Sequence, residues 1–220
     1  MSGRLVVLVG PAGAGKTTLA HRVIDLAPSR RGFSVSHTTR PIRATEHDGV
    51  DYWFVDRPHF ESLRDHNGFA EWAEVHGNYY GTSRAEIERL TSAGRDVFFD
   101  VDIVGAHNLW RQYPESIRLI FVLPPSWQVL VQRLINRGTE TDASLHRRLR
   151  TARRELQALL ESPAPWTVVH NDDLPRATAD LERAVCEPLQ PTAIEHHPGL
   201  RGFLREAMSD PRADDDHSGQ

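Results

Sequence analysis

Four short apolar runs punctuate the chain: Leu5-Val6-Val7-Leu8-Val9, Val97-Phe98-Phe99, Leu119-Ile120-Phe121-Val122-Leu123 and Trp166-Thr167-Val168-Val169. They are continuous rather than alternating and rich in β-branched and aromatic side chains, the pattern of strands buried on both faces of a parallel sheet. Each is followed by a stretch that reads as helix, which predicts βαβ units and an α/β core. Pro124-Pro125 stops the third run, Ser126 stands where it can cap the next helix, and Leu145, Leu149, Ala152, Leu156 and Leu159 then recur at helical spacing. Arginines crowd the other face of that helix, and Arg147, Arg150, Arg153 and Arg154 are expected to do no more than solvate it. Between about residues 50 and 80 the period changes: Val50–Val55 and Phe69–Val75 alternate, predicting a small half-exposed sheet inserted into the core. Near the C-terminus Leu200, Phe203, Leu204 and Ala207 share one face of a possible helix weakened by Gly199 and Gly202, and disorder is expected after Asp210.

Length and composition narrow the class. A chain of 220 residues is enough for one compact domain with inserted subdomains. The first apolar run, Leu5–Val9, is too short for a signal peptide and far short of the roughly 20 residues that span a bilayer, so no membrane association is expected. Cys186 is the single cysteine; with no partner for a disulfide or a CxxC metal knuckle it reads as structural, in a reducing cytoplasm. Residues 187–220 hold seven acidic residues against three arginines and so carry the whole net charge of −4, while the rest balances 23 positive against 23 negative. A neutral domain lacks the basic field of a duplex binder, and no nucleic-acid partner is expected. Of the 26 basic residues only Lys16 is a lysine. The twelve histidines, His196-His197 included, show no metal-ligand spacing.

That lysine belongs to the most specific motif. Gly10-Pro11-Ala12-Gly13-Ala14-Gly15-Lys16-Thr17 matches GxxxxGK[ST] directly after a predicted strand and at the start of a predicted helix. Glycines let the backbone wrap so that its N–H groups face phosphate oxygens, Lys16 reaches the β- and γ-phosphates, and the Thr17 hydroxyl can ligate Mg²⁺. Residues Gly10 to Thr17, with Thr18, are therefore candidate ATP-binding residues. A second group, Ser36, Arg40, Arg43, Tyr52 and Tyr80, offers two guanidinium forks and three hydroxyls, an oxygen-seeking set suited to a monophosphate dianion; alone, the two arginines would read as a solvated basic turn. Glu71 is a carboxylate that can accept two parallel hydrogen bonds and Thr82 a hydroxyl that can donate one; in isolation Glu71 would read as an exposed strand residue. Asp100 and Asp102 follow the second apolar run, at a strand's carboxyl end where open α/β sheets bind ligands, and suit the organisation of Mg²⁺ and substrate. Asp102-Ile103-Val104-Gly105 also fits the DxxG of GTPases, but their NKxD motif needs a second lysine that the chain lacks.

With these residues in order, the chain resembles the guanylate kinase family over roughly residues 1–186. The resemblance runs through the P-loop, Phe33–Arg43, Glu46, Gly49–Tyr52, Glu71–Thr82, Asp100–Asp102, Pro124–Ser126, Arg137-Gly138-Thr139, Arg147–Leu149 and Asn171–Asp173. It implies a P-loop kinase core with a parallel sheet flanked by helices, a GMP-binding insertion of mixed β structure at about 37–85, a helical lid at about 126–150 and a partly disordered acidic tail at 187–220. The implied activity is Mg²⁺-dependent phosphoryl transfer from ATP to GMP and dGMP, giving ADP and GDP, by a monomer or homodimer. It implies that Ser36, Arg40, Arg43, Tyr52 and Tyr80 hold the GMP phosphate and that Glu71, Thr82 and Asp102 lie by the guanine. Thr17 and Asp100 are the implied metal-side residues. Arg133, Arg137 and Arg148 are the implied lid arginines, with Arg133, Arg137 and Asn171 on ATP. The implied catalytic set is Lys16, Arg40, Arg137, Arg148 and Asp100. Two other readings share the fold: a sugar-phosphate kinase such as ribose 1,5-bisphosphate phosphokinase, and a non-catalytic binding module. Departures from the family are Ala12 where serine is usual, Thr45 where glycine is common, and His170 where the family is apolar, read as a buried, satisfied histidine. The tail has no counterpart in the resemblance and is expected to be dispensable for catalysis.

Overall fold

In a computed structural model, residues 3–44, 46–75, 77–136, 142–187 and 197–214 are described. In chain order the elements are β1 (Leu5–Val9), α1 (Lys16–Leu26), β2 (Arg31–Phe33), β3 (His37–Thr38), β4 (Trp53–Phe54), α2 (Arg57–Asp65), β5 (Phe69–Val75), β6 (Asn78–Ser83) and α3 (Arg84–Ser92). They continue with β7 (Asp96–Asp100), α4 (Ile103–Gln112), β8 (Ile117–Leu123), α5 (Trp127–Asn136), α6 (Asp142–Leu160), β9 (Trp166–His170), α7 (Leu174–Cys186), α8 (Pro198–Ser209) and a 3-10 turn, Pro211–Ala213. A five-stranded sheet runs in the order β2-β7-β1-β8-β9 and a separate four-stranded sheet in the order β4-β3-β6-β5. This is the α/β fold that the apolar runs predict. All four runs are strands, and β1 is buried at every position because a parallel sheet covered by helices leaves it no wet face. No helix among the described residues is long and apolar enough to cross a membrane.

The chain divides into two compact units, one of Met1–Val6, Ile24–Phe99 and Val104–Ile117, the other of Val7–Val23, Asp100–Ile103 and Arg118–Gln220. In the first, β2 pairs parallel with β7. That strand has no apolar run to announce it: it is Arg-Gly-Phe, and the Arg95 guanidinium holds its backbone by donating to the Arg31 carbonyl at 3.2 Å. The four-stranded sheet pairs β3 parallel with β4 and antiparallel with β6, and β5 antiparallel with β6. Phe60 of α2 stacks on Phe69 and Tyr79 to form the small core beneath it. The alternation at Val50–Val55 yields a strand only at Trp53–Phe54. Upstream, the Asp51 carboxylate accepts from the His47 N–H at 2.7 Å and Asp48 from the Phe54 N–H at 2.8 Å, so local side-chain bonds replace a ladder there.

In the second unit β8 pairs parallel with β9. The helical stripe predicted for α6 is buried at Leu145, Leu149, Ala152, Leu156 and Leu159. Ser126 caps α5 by accepting from the Val129 N–H at 3.1 Å. The C-terminal segment departs most from expectation. Leu200, Phe203 and Ala207 of α8 are buried, and Gly199 is in place because a Cβ there would lie 2.1 Å from the His170 ring. His170 itself is half-buried and stacks on His197, ring centroids 4.9 Å apart, and burial lowers the pKa of both. Trp127, first residue of α5, donates its backbone N–H to Glu206 at 2.9 Å and its indole N–H to Asp210 at 2.6 Å. Arg153 donates to the Ala207 and Asp210 carbonyls at 2.9 and 2.8 Å and pairs with Asp214 at 2.8 Å, while Arg150 reaches the Asp214 carbonyl at 3.4 Å. Arg150 and Arg153 therefore do more than solvate α6, and residues 211–214 are ordered rather than the start of a disordered end, because the carbonyls closing α8 need donors that α6 supplies.

Candidate active site

The P-loop of the second unit is shaped by two backbone positions that exclude a side chain. Gly10, at φ +144°, would place a Cβ 2.5 Å from the Val122 carbonyl oxygen, and Gly15, at φ +88°, one 2.4 Å from the Asn171 amide nitrogen. Asn171 is buried and donates from its side chain to the Ala14 carbonyl at 2.7 Å, while its own N–H bonds to Leu123 at 2.8 Å. Arg133 donates to the Gly13 carbonyl at 3.5 Å and the Asn171 carbonyl at 3.3 Å. Two residues expected on ATP are thus braces of the loop that would receive it. Lys16 bonds the Gly10 carbonyl at 2.7 Å and lies 3.5 Å from Asp100 Oδ1, and Thr17 donates to Asp100 Oδ2 at 3.0 Å. Ammonium, hydroxyl and carboxylate therefore converge at the helix start, where N–H groups and the dipole attract phosphate. Thr18 is exposed on α1 and Ala12 half-buried in the loop. Asp102 is exposed, Arg148 lies half-buried on α6, and Arg137, Gly138, Thr139 and Thr45 fall outside the described residues.

In the first unit, register assembles a second constellation. Glu71 of β5 is the cross-strand partner of Thr82 of β6, so both side chains share one face. Both are buried, and Thr82 donates to Glu71 Oε1 at 2.6 Å; Ser36 Oγ lies 3.5 Å from Thr82 Oγ1. Glu71 is therefore not the exposed strand residue that its local sequence suggests. Arg40 lies over the Tyr52 and Phe54 rings at 5.5 and 5.6 Å, and Tyr52 meets Tyr80 edge to face at 5.9 Å. Its guanidinium donates to Glu46 Oε1 at 2.7 Å. Glu46 also accepts from the Arg43 N–H at 2.9 Å, and its carboxyl is held below the usual carboxylate range, chiefly by the Arg40 hydrogen bond. Of the predicted phosphate residues, Arg40, Tyr52 and Tyr80 are brought together and Arg40 and Arg43 share a counter-ion that did not stand out as a site residue in the sequence, whereas Ser36 lies beside Thr82. In the sequence Glu46 carried only the resemblance, three residues after Arg43 in Arg40-Pro41-Ile42-Arg43-Ala44-Thr45-Glu46.

A protein-family model described as Guanylate kinase matches residues 2–187. The chain belongs to the guanylate kinase family. Curated relatives named guanylate kinase include one from Oleidesulfovibrio alaskensis, 46% identical over 192 residues, covering 87% of this chain and 91% of the relative. Another, from Nitratidesulfovibrio vulgaris, is 47% identical over 186 residues, covering 84% and 87%. The crystal structure of guanylate kinase from Anaplasma phagocytophilum aligns with a TM-score of 0.63 at 26% identity, covering 97% of each chain. The guanylate kinase model stops at 187, so α8 and the turn after it lie outside the match. A further carboxyl of this guanylate kinase family member escaped the sequence reading: Glu155 of α6, which burial and the charges of Asp102 and Asp100 push up to about 7 against the pull of Lys16. Its neighbours in sequence are leucines and arginines, which hid it.

Proposed function

We propose that this chain transfers the γ-phosphoryl group of ATP to GMP, and to dGMP, giving ADP and GDP or dGDP. The observation that carries this reading is the joint presence, in one guanylate kinase family chain, of the Lys16–Thr17–Asp100 cluster and the buried Glu71–Thr82 pair. A phosphate oxygen of GMP attacks the γ-phosphorus, the bond to the β–γ bridging oxygen breaks, and ADP leaves with its electron pair. No protein nucleophile is needed; positioning and charge stabilisation lower the barrier. Lys16 follows the β/γ-phosphate charge, Arg133 braces the loop that holds it, and Arg148 and Arg137 serve the lid.

Thr17 and Asp100 would hold Mg²⁺. Their oxygens, 3.0 Å apart, are hard donors and few in number, which suits a cation that arrives largely liganded by phosphates and water. When bound it would supply positive charge that stabilises the phosphoryl group in transfer. Arg40, Arg43, Tyr52 and Tyr80 take the GMP phosphate, with Glu46 keeping Arg40 aimed. Glu71 accepts the two guanine N–H groups, and Asp102 is assigned to the same base. The Thr82 hydroxyl has one hydrogen, which points to Glu71 in the structure, so O6 draws its donor from Ser36 or from Thr82 turned away from Glu71. A sugar phosphate presents no such pair of N–H donors, which argues against that acceptor.

Release of ADP from MgATP with GMP, dGMP, AMP, UMP or ribose 1,5-bisphosphate tests the reading. Turnover is expected with GMP and dGMP, and folded protein that releases no ADP in response to GMP would overturn it.

A further inference from the structure

Glu155 sits where α6 should be apolar. It lies three residues after Ala152 and four before Leu159, both buried, so the helical period turns it toward the same interior stripe. One of its oxygens, Oε2, is buried and has no hydrogen-bond partner among the described residues. Such an acceptor is costly, and a leucine would serve packing better. The charges that act on Glu155 are Lys16, Asp102 and Asp100, the charge cluster of the P-loop. Two of those three neighbours are carboxylates and one is an ammonium. Yet among the described residues no three acidic, histidine or cysteine side chains lie close enough to ligate one ion. A donor for Oε2 that also brings positive charge, without direct ligation, is a water bound to a cation.

We propose that Glu155 is a positioning residue for the divalent cation of the bound nucleotide, its Oε2 accepting a hydrogen bond from a water on that cation. This rests on the reading of the P-loop as the MgATP site. The ion carried by phosphates, Thr17 and Asp100 is thereby oriented from the α6 side through its water shell. A carboxylate held this way attracts the cation by charge and fixes the water by geometry, while leaving the affinity for metal-free nucleotide untouched.

The test uses the full chain, a non-hydrolysable ATP analogue, and Mn²⁺ as a paramagnetic substitute for Mg²⁺. Analogue affinity is measured by calorimetry in EDTA and with metal, and Mn²⁺ affinity of the protein–analogue complex by electron paramagnetic resonance. For Glu155→Gln, Mn²⁺ affinity is expected to fall by about 10- to 100-fold, with affinity in EDTA unchanged. Glu155→Asp, which keeps the charge on a shorter stem, should recover part of the loss. Unchanged Mn²⁺ affinity in Glu155→Gln overturns the proposal, and so does an equal loss with and without metal, which marks a structural role only. Should Glu155→Gln fail to fold, Glu155→Asp is judged by the same split against the parent. A parent chain that binds no analogue under either condition refutes the P-loop reading itself, which separates the two failures.

Discussion

The P-loop draws its groups from the contiguous segment Gly10–Thr17, whereas the residues proposed for guanine and phosphate, Ser36, Arg40, Glu46, Glu71 and Thr82, come from two loops and two paired strands of the other unit. The first works mainly through backbone N–H groups and one ammonium, and its shape is enforced by glycines that admit no Cβ. The second works entirely through side chains, and its shape is enforced by register: a slip of one residue between β5 and β6 would turn Glu71 and Thr82 to opposite faces. A backbone-built site tolerates a lost hydroxyl, as at Ala12, because the cradle remains. A side-chain site has no such reserve.

Breaking each region should therefore give different signatures. The largest effect is expected for Lys16→Arg, where a broad rigid fork replaces a compact ammonium: kcat in the ADP-release assay should drop by about 100-fold or more, with folding intact by circular dichroism. Glu71→Ala should leave ATP binding unchanged and raise KM for GMP by about 10- to 100-fold, since it strands guanine N–H groups worth about 1–3 kcal/mol. A rise in both KM values alike would erase the distinction between the regions.

Asp210 extends the comparison to the brace on α5. Burial opposes its ionisation, but hydrogen bonds from Arg212 and the Trp127 indole outweigh that and hold the carboxyl at about 2, against 3.8 ordinarily. A depressed folded pKa stabilises the fold above the unfolded value and loses that contribution as pH falls from about 4 to about 2, here about 2 kcal/mol. Asp210→Asn should lower stability near neutral pH by about that amount in urea melts and flatten the acid limb. The smallest effect is expected for Glu46→Gln, which keeps a hydrogen-bond acceptor for Arg40 but removes the charge: KM for GMP should rise by about 3- to 10-fold with kcat and ATP affinity unchanged.

The same contrast explains how much was legible in advance. The four apolar runs, the P-loop and the stripe on α6 are local patterns, and each became the element expected. Glu71 and Thr82 could be named by resemblance, but their neighbouring residues alone marked Glu71 as exposed; the antiparallel pairing buried it. β2 was missed because a short Arg-Gly-Phe strand gains its place from Arg95 and β7, not from its own propensity. The arginines of α6 looked like a solvated face because nothing local tells that α8 will offer carbonyl oxygens to Arg153.

By itself the sequence determined the α/β class, the glycine-rich loop between a strand and a helix and the single lysine that follows it, because those depend on periodicity and on residues adjacent in the chain. Only the tertiary structure decided that Glu46 is the counter-ion of Arg40, that α8 caps and braces α5 and α6, and that Glu155 carries a buried oxygen among the charges of the P-loop. Desolvation and hydrogen-bond satisfaction depend on what packs around a group, and those neighbours lie 6 positions apart in the case of Arg40 and Glu46 and 83 in that of Trp127 and Asp210.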